Sequence, residues 1–184
     1  MIKLRPENFG GLAFNTETGT KLFLDQEGFN TLSDFIQGKA AKVDKTTKEF
    51  LADACQKLNV GKRQFYFAYP NPQPKTKYYP FTVLNAPTLV DFQITQTCNL
   101  SCPHCYAESI KRNGHVPLKD IIMVFDKCKE AGVFEVALGG GEPTLHPDFL
   151  KILKAAKQRD LVCNLATNGK SLDIKKAKIL KKYC

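Results

Sequence analysis

Cys98-Asn99-Leu100-Ser101-Cys102-Pro103-His104-Cys105-Tyr106 places three thiols and a histidine in one short stretch of a 184-residue chain. The chemistry of this stretch fixes what the surrounding chain must hold. Thiolates separated by three and then two residues can converge on one inorganic centre, because they bind soft iron or zinc and a short loop turns the sulfurs inward. A structural zinc site takes four protein ligands, and Cys98, Cys102, Cys105 and His104 are the available set. That set fits poorly. The side chains of the neighbours His104 and Cys105 diverge, and no second Cys-x-x-Cys pair supplies a fourth sulfur. Three thiolates on a four-iron cluster instead leave one iron without a protein ligand, and an open position marks a metal site that reacts. Ordinary packed cysteines are the third reading.

The flanks of the stretch alternate between strand and helix periods. Val90, Phe92 and Ile94 alternate with Asp91, Gln93 and Thr95, so a strand delivers Cys98 to its C-terminal end. Leu118, Ile121, Ile122, Phe125 and Cys128 recur at helical spacing, opened by Pro117 and closed by Gly132, which makes Cys128 a core residue. A second strand is expected over 133–138, ending in Gly139-Gly140-Gly141-Glu142-Pro143. Pro147 and Asp148 open a helix with Phe149, Ile152, Leu153 and Ala156 on its buried stripe, and His146 before them is a helix-start residue. A third strand over 161–166 ends in Thr167-Asn168-Gly169, and a lysine-rich helix runs from about Leu172 onward. Successive β-α units predict a parallel sheet with right-handed crossovers. Reactive groups gather at the C-terminal strand ends of such sheets, where all three motifs fall.

The Cys-x-x-x-Cys-x-x-Cys spacing, followed in order by the Gly-Gly-Glu element and the Thr-Asn-Gly turn, resembles the radical S-adenosylmethionine enzymes over roughly Pro87 to Cys184. The resemblance implies an α/β fold in which this part holds the first three β-α units of a (β/α)6 barrel. Because the family barrel has six units, the sequence is expected to stop short within it. The resemblance also implies that Cys98, Cys102 and Cys105 hold a [4Fe-4S] cluster whose open iron binds S-adenosylmethionine, reduced by a donor such as flavodoxin or ferredoxin. Gly140, Gly141, Glu142 and Pro143 are then expected at the methionine, with Thr167 and Asn168 near the cofactor. His104 or Tyr106 is expected at the nucleoside. A tight strand-to-helix turn is the plainer reading of the glycines.

The N-terminal part has its own pattern. Leu12-Ala13-Phe14-Asn15 and Thr20-Lys21-Leu22-Phe23-Leu24 flank a loop ending in Gly19 and predict a β-hairpin. From Gly28 the period becomes helical, with Phe29, Leu32, Phe35 and Ile36, and Gly38 at the stop. Thr46 and Glu49 have capping-box spacing ahead of a second helix, whose stripe is Phe50, Leu51, Ala54 and Leu58 with Cys55 beside it, ended by Gly61. Gln64 to Tyr69 has strand character. A hairpin, two helices and a returning strand make a winged-helix-like α+β module over 1–69. It resembles the leader-recognition domain of enzymes that mature ribosomally made peptides. That resemblance implies that a precursor peptide's leader adds as a strand beside Thr20, Lys21, Leu22, Phe23 and Leu24, with a helix such as 45–58 as the other wall. A purely structural cap is the alternative. Pro70, Pro72, Pro74 and Pro80 make 70–86 an extended, stiff linker to a domain over 87–184, with Tyr78, Tyr79 and Phe81 pinning it.

Composition narrows the classes. No apolar run approaches the roughly 20 residues that cross a bilayer, and the N-terminus is no signal peptide, so a cytoplasmic protein without a membrane partner is expected. Seven cysteines argue against a disulfide framework. The net charge of +9 is uneven. Residues 81–169 carry equal numbers of acids and bases, while Lys170, Lys175, Lys176, Lys178, Lys181 and Lys182 crowd the last stretch as a solvated helix face. No basic track borders the cysteines, which disfavours nucleic acid as a partner. The expected function is radical hydrogen abstraction from a ribosomally made peptide. The rivals are a radical enzyme acting on a small molecule and a non-catalytic peptide-binding protein.

Overall fold

Alternation of apolar and polar residues at the N-terminus builds three antiparallel strands in the computed structural model, which describes residues 1–39, 43–60, 83–108 and 113–184. They are β1 (Ile2–Glu7), β2 (Gly10–Asn15) and β3 (Lys21–Asp25), in the order β1-β2-β3. The hairpin expected from sequence is β2–β3. β1 was not expected from sequence, and it contains Pro6, which lacks the N–H that a central ladder needs. Here Pro6 lies one residue from the end of a strand that pairs on one side only among the described residues, where that loss is tolerated.

Two helices follow. α1 (Gln26–Ile36) begins two residues before Gly28, because the Asp25 carboxylate accepts the Gly28 N–H at 2.8 Å. α2 (Lys45–Lys57) is capped by Asp44, which accepts the Thr47 N–H at 2.7 Å. The expected Thr46–Glu49 capping box is thereby corrected: an aspartate at the non-helical position before Lys45 reaches the free N–H of the third helical residue, and Thr46 lies inside the helix. The Thr47 N–H holds the Asp44 carboxyl below its ordinary value. α2 ends at Asn59, whose φ of 53° is the left-handed conformation that asparagine tolerates. The expected stop at Gly61, the strand 64–69, the prolines at 70, 72, 74 and 80, and Tyr78, Tyr79 and Phe81 lie outside the described residues.

The chain divides into two units, residues 1–87 with 130–132 and residues 88–129 with 133–184. The first packs Ile2, Leu4, Ala13 and Leu24 of the sheet against Phe29, Leu32, Leu51 and Leu58. It also buries an ion pair, Arg5 Nε to Glu7 Oε1 at 2.6 Å, with both side chains at most 1% exposed. Buried charges persist only when their remaining hydrogen-bonding capacity is filled. Arg5 donates to the carbonyls of Ala86, Pro87 and Gly132, and Glu7 accepts the Asn85 N–H. Cys55 is half-buried, and burial pushes its thiol up.

In the second unit β4 (Leu89–Thr95), β5 (Glu135–Gly140) and β6 (Val162–Leu165) form a parallel sheet in that order. α3 (Leu118–Ala131), α4 (Phe149–Gln158) and α5 (Ile174–Tyr183) connect or follow the strands. Ile94, Val136, Leu138 and Cys163 meet Ile121, Phe125 and Cys128 of α3 and Ile152, Leu153 and Ala156 of α4 in one core. The alternate strand residues Asp91, Gln93, Glu135 and Asn164 form the other, polar face, where Asn164 Nδ2 donates to Glu135 Oε2 at 2.9 Å. β5 runs two residues later than expected, because pairing with β4 draws Gly139 and Gly140 into the ladder opposite Gln93 and Thr95. α5 starts at Ile174 rather than near Leu172, where Asp173 caps it by accepting the Lys176 N–H. The architecture is the expected α/β one, with three β-α units. No described helix is long and apolar enough to cross a membrane.

Candidate functional site

The C-terminal ends of β4, β5 and β6 carry the three motifs and are bound to one another by short hydrogen bonds. Gly141 N donates to Thr95 O at 2.8 Å and Glu142 N donates to Thr97 O at 2.8 Å. So close a backbone approach excludes side chains. A Cβ on Gly140 would lie 2.1 Å from Thr95 O and one on Gly141 would lie 2.2 Å from Thr97 O; Gly140 also takes φ 112°. The glycines therefore seat the end of β5 against the segment that leads from β4 into the cysteines. That is a more specific requirement than the tight turn considered from sequence.

Glu142, 1% exposed, is the hub of the site. Its Oε1 accepts from Thr144 N at 3.1 Å, Thr144 Oγ1 at 2.5 Å and Thr167 Oγ1 at 2.7 Å, and its Oε2 accepts from Asn168 N at 2.8 Å. Burial pushes the Glu142 carboxyl up, but the donors of Thr144, Asn168 and Thr167 outweigh it and hold the carboxyl below its ordinary value. The charge thus ties the loop after β5 to the loop after β6.

The loop after β6 meets the cysteine stretch in turn. Asn168 Nδ2 donates to Asn99 Oδ1 at 2.8 Å and lies 4.0 Å from Cys98 Sγ, and Asn99 Nδ2 donates to Ser171 Oγ at 3.2 Å. Cys98 and Cys105 are half-buried and Cys102 is exposed. Cys105 N donates to Cys102 O at 3.1 Å and Glu108 N to Cys105 O at 3.2 Å, so the last two cysteines share consecutive turns. His104 and Tyr106 are both on the surface, Tyr106 at 77% exposure.

The chemistry of the donors selects the metal they suit. No disulfide joins any of the seven cysteines. Burial pushes up the Cys128 thiol, and the hydrogen bond that the Cys163 thiol donates to the Cys184 sulfur, together with burial, pushes up that of Cys163, so neither supplies a thiolate. Among the described residues no three His, Cys, Asp or Glu side chains converge as the ligands of a single ion do. A four-iron cluster sets its thiolates further apart than a single ion does, since each binds its own iron. Three accessible thiols on one loop, at a strand end built by glycines, fit a cluster better than a zinc ion.

The sequence model of the Radical SAM superfamily matches residues 92–184, which contain all of these groups. The chain belongs to the radical SAM superfamily. As a radical SAM protein it is 36% identical over 87 residues to the mycofactocin maturase MftC of Mycobacterium ulcerans (strain Agy99), a match covering 47% of this chain and 24% of that one. It is 32% identical over 102 residues to the PqqA peptide cyclase of Methylorubrum extorquens (strain PA1), covering 54% and 26%. Among solved structures, Streptococcus suis SuiB bound to its precursor peptide SuiA superposes with a TM-score of 0.66 at 20% identity, over 100% of this chain and 45% of that one. SuiB bound to S-adenosylmethionine gives 0.64 at 21%, over 99% and 44%. The likeness to SuiB establishes the fold. The chain spans about a quarter of the length of the curated relatives it matches.

Several residues around the three motifs were not singled out from sequence. Thr144, Asn99 and Ser171 lie within three residues of a motif and carry ordinary loop side chains, so only the fold reveals their partners. Thr95 and His115 also escaped notice. The Thr95 hydroxyl donates to Gly114 O at 3.0 Å, accepts the Thr97 N–H at 3.1 Å and lies 2.9 Å from His115 Nδ1. With its proton on Gly114, the hydroxyl accepts from His115, leaving Nε2 of an exposed ring available beside a cleft lined by Gln93, Gln96 and Val116. His146 is buried at the start of α4, where Nδ1 accepts the Asp148 N–H at 3.0 Å and Nε2 donates to Val116 O at 2.9 Å. Those two bonds fix the ring's orientation in a structural role.

Proposed function

We propose that the chain belongs to a cytoplasmic radical SAM peptide maturase, in which Cys98, Cys102 and Cys105 hold a [4Fe-4S] cluster. A cluster held by these thiolates would supply the one-electron chemistry that splits the sulfonium of S-adenosylmethionine, with methionine as the leaving group, for hydrogen abstraction from a substrate. Gly140 and Gly141 position the end of β5, whose carbonyls, with Pro143 at the turn, would hold the methionine amino group. Glu142 orders the loop of Thr167 and Asn168 beside the cofactor. Tyr106 and His104, both exposed on the cysteine loop, are the groups available to cover the nucleoside. A small redox protein such as flavodoxin or ferredoxin delivers the electron.

The peptide substrate is supported by the module ahead of the radical SAM domain. Its edge strand β3 leaves Phe23 59% exposed, and Phe9 leans on that ring with centroids 6.1 Å apart. Among the described residues β3 pairs only with β2, so its other edge offers backbone N–H and C=O groups to an added strand. The docking strand is thus Thr20, Lys21, Leu22, Phe23 and Leu24. α1 packs directly on β2 and β3, and α2 packs on α1. PqqA peptide cyclase carries a peptide in its name and SuiB is solved with its precursor peptide SuiA, which favours the peptide reading over a small-molecule one.

The edge strand with its exposed aromatic carries the proposal. Titration of the 184-residue chain with candidate leader peptides tests it by fluorescence anisotropy. Saturable binding that Phe23→Ala weakens at least tenfold supports a peptide maturase. Absence of binding to every leader encoded beside the gene points to a small-molecule substrate.

A further inference from the structure

Asn168 is oriented by contacts that leave no ambiguity in its amide. Its Oδ1 accepts the Lys170 N–H at 3.0 Å, so the opposite end, Nδ2, must face the cysteine loop. There one N–H meets Asn99 Oδ1 at 2.8 Å, and the same nitrogen lies 4.0 Å from Cys98 Sγ. The Asn99 amide is fixed in the matching sense, since its own Nδ2 donates to Ser171 Oγ. The Asn168 backbone is held by the buried Glu142 carboxylate at 2.8 Å, so the donor sits on a rigid support rather than on a loose turn.

We infer that Asn168 is a positioning residue that donates an N–H to the Cys98 sulfur and thereby raises the reduction potential of the cluster. The inference rests on the cluster reading given above. A donor aimed at a ligating thiolate stabilises the more negative, reduced form, and hydrogen bonds to sulfur are among the main determinants of cluster potential. A thiolate accepts more strongly than a thiol, so the contact tightens once Cys98 is a ligand. The potential would then depend on a residue outside the Cys-x-x-x-Cys-x-x-Cys motif.

The test uses the full 184-residue chain, reconstituted anaerobically with iron and sulfide. Asn168→Ala removes the donor, and Asn168→Asp keeps the shape while replacing the donor by a negative charge. Each variant's midpoint potential is read by titration followed with electron paramagnetic resonance. Asn168→Ala is expected to shift the one-electron reduction equilibrium about tenfold toward the oxidised form, or about 59 mV more negative. Asn168→Asp is expected to shift it further, with iron content in both equal to the wild type. Potentials unchanged in both variants, or cluster loss in both, overturn the assignment. Failure of the wild-type chain to hold any cluster overturns the underlying site reading instead, which separates the two.

Discussion

Replacing Glu142 by Gln removes one acceptor from a saturated carboxylate while preserving its shape. Oε1 accepts three hydrogen bonds and Oε2 accepts the Asn168 N–H alone, so the glutamine oxygen takes the Oε1 position. The new NH2 then faces the Asn168 N–H, donor against donor. A hydrogen bond to a charged group contributes about 1.5–3 kcal/mol. Since about 1.4 kcal/mol is tenfold, amide exchange at Asn168 should speed up roughly ten- to hundredfold at pH 7. Hydrogen exchange read by NMR measures this amide directly, with the amides of α4 as internal reference. Because the Glu142 carboxyl lies below its ordinary value of 4.5, its contribution is complete above that pH and is lost only as pH falls through the lower, folded value. Wild type and Glu142→Gln therefore converge only in acid. An Asn168 rate within twofold of wild type at pH 7 would refute the view of Glu142 as the brace between the two loops.

Further outcomes follow from the same geometry. Gly140→Ala puts a methyl 2.1 Å from Thr95 O at a φ of 112°, and thermal unfolding should show a loss of about 4 kcal/mol or more; a shift of a degree or two would contradict the close-approach argument. Arg5→Ala strands the buried Glu7 carboxylate and should cost about 3–5 kcal/mol in urea unfolding, whereas the double change Arg5→Met, Glu7→Leu should recover most of it. Asp44→Ala should lower the melting temperature more than Thr46→Ala does, the reverse of what a Thr46–Glu49 capping box requires.

The motifs and the order of strands and helices in the second unit were legible because each signal is local. Three cysteines at fixed spacing, a glycine run and an Asn-Gly turn fall at the ends of strands with clear alternation. What the glycines touch was not legible, since their neighbours, Thr95 and Thr97, are more than forty residues away and have unremarkable side chains. Glu142 shows the same limit, since the donors that surround its carboxylate come from Thr144, Thr167 and Asn168, two of them some 25 residues away. In the first unit, β1 was hidden by Pro6 and by Lys3, Arg5 and Glu7, whose burial depends on carbonyls distant in sequence. The helix starts were displaced because Asp25 and Asp44 act as caps by lying just outside the helices, a one-residue effect that periodicity does not register.

The central claim is that three thiolates leave an iron vacant for a sulfonium ligand. Anaerobic reconstitution followed by iron analysis and electron paramagnetic resonance of the reduced protein, with and without S-adenosylmethionine, tests it most directly. About four irons per chain are expected, with a spectrum that changes when S-adenosylmethionine is added and disappears in Cys98→Ala, Cys102→Ala and Cys105→Ala. Tight binding of zinc in place of iron, or a cluster whose spectrum ignores S-adenosylmethionine, would contradict it.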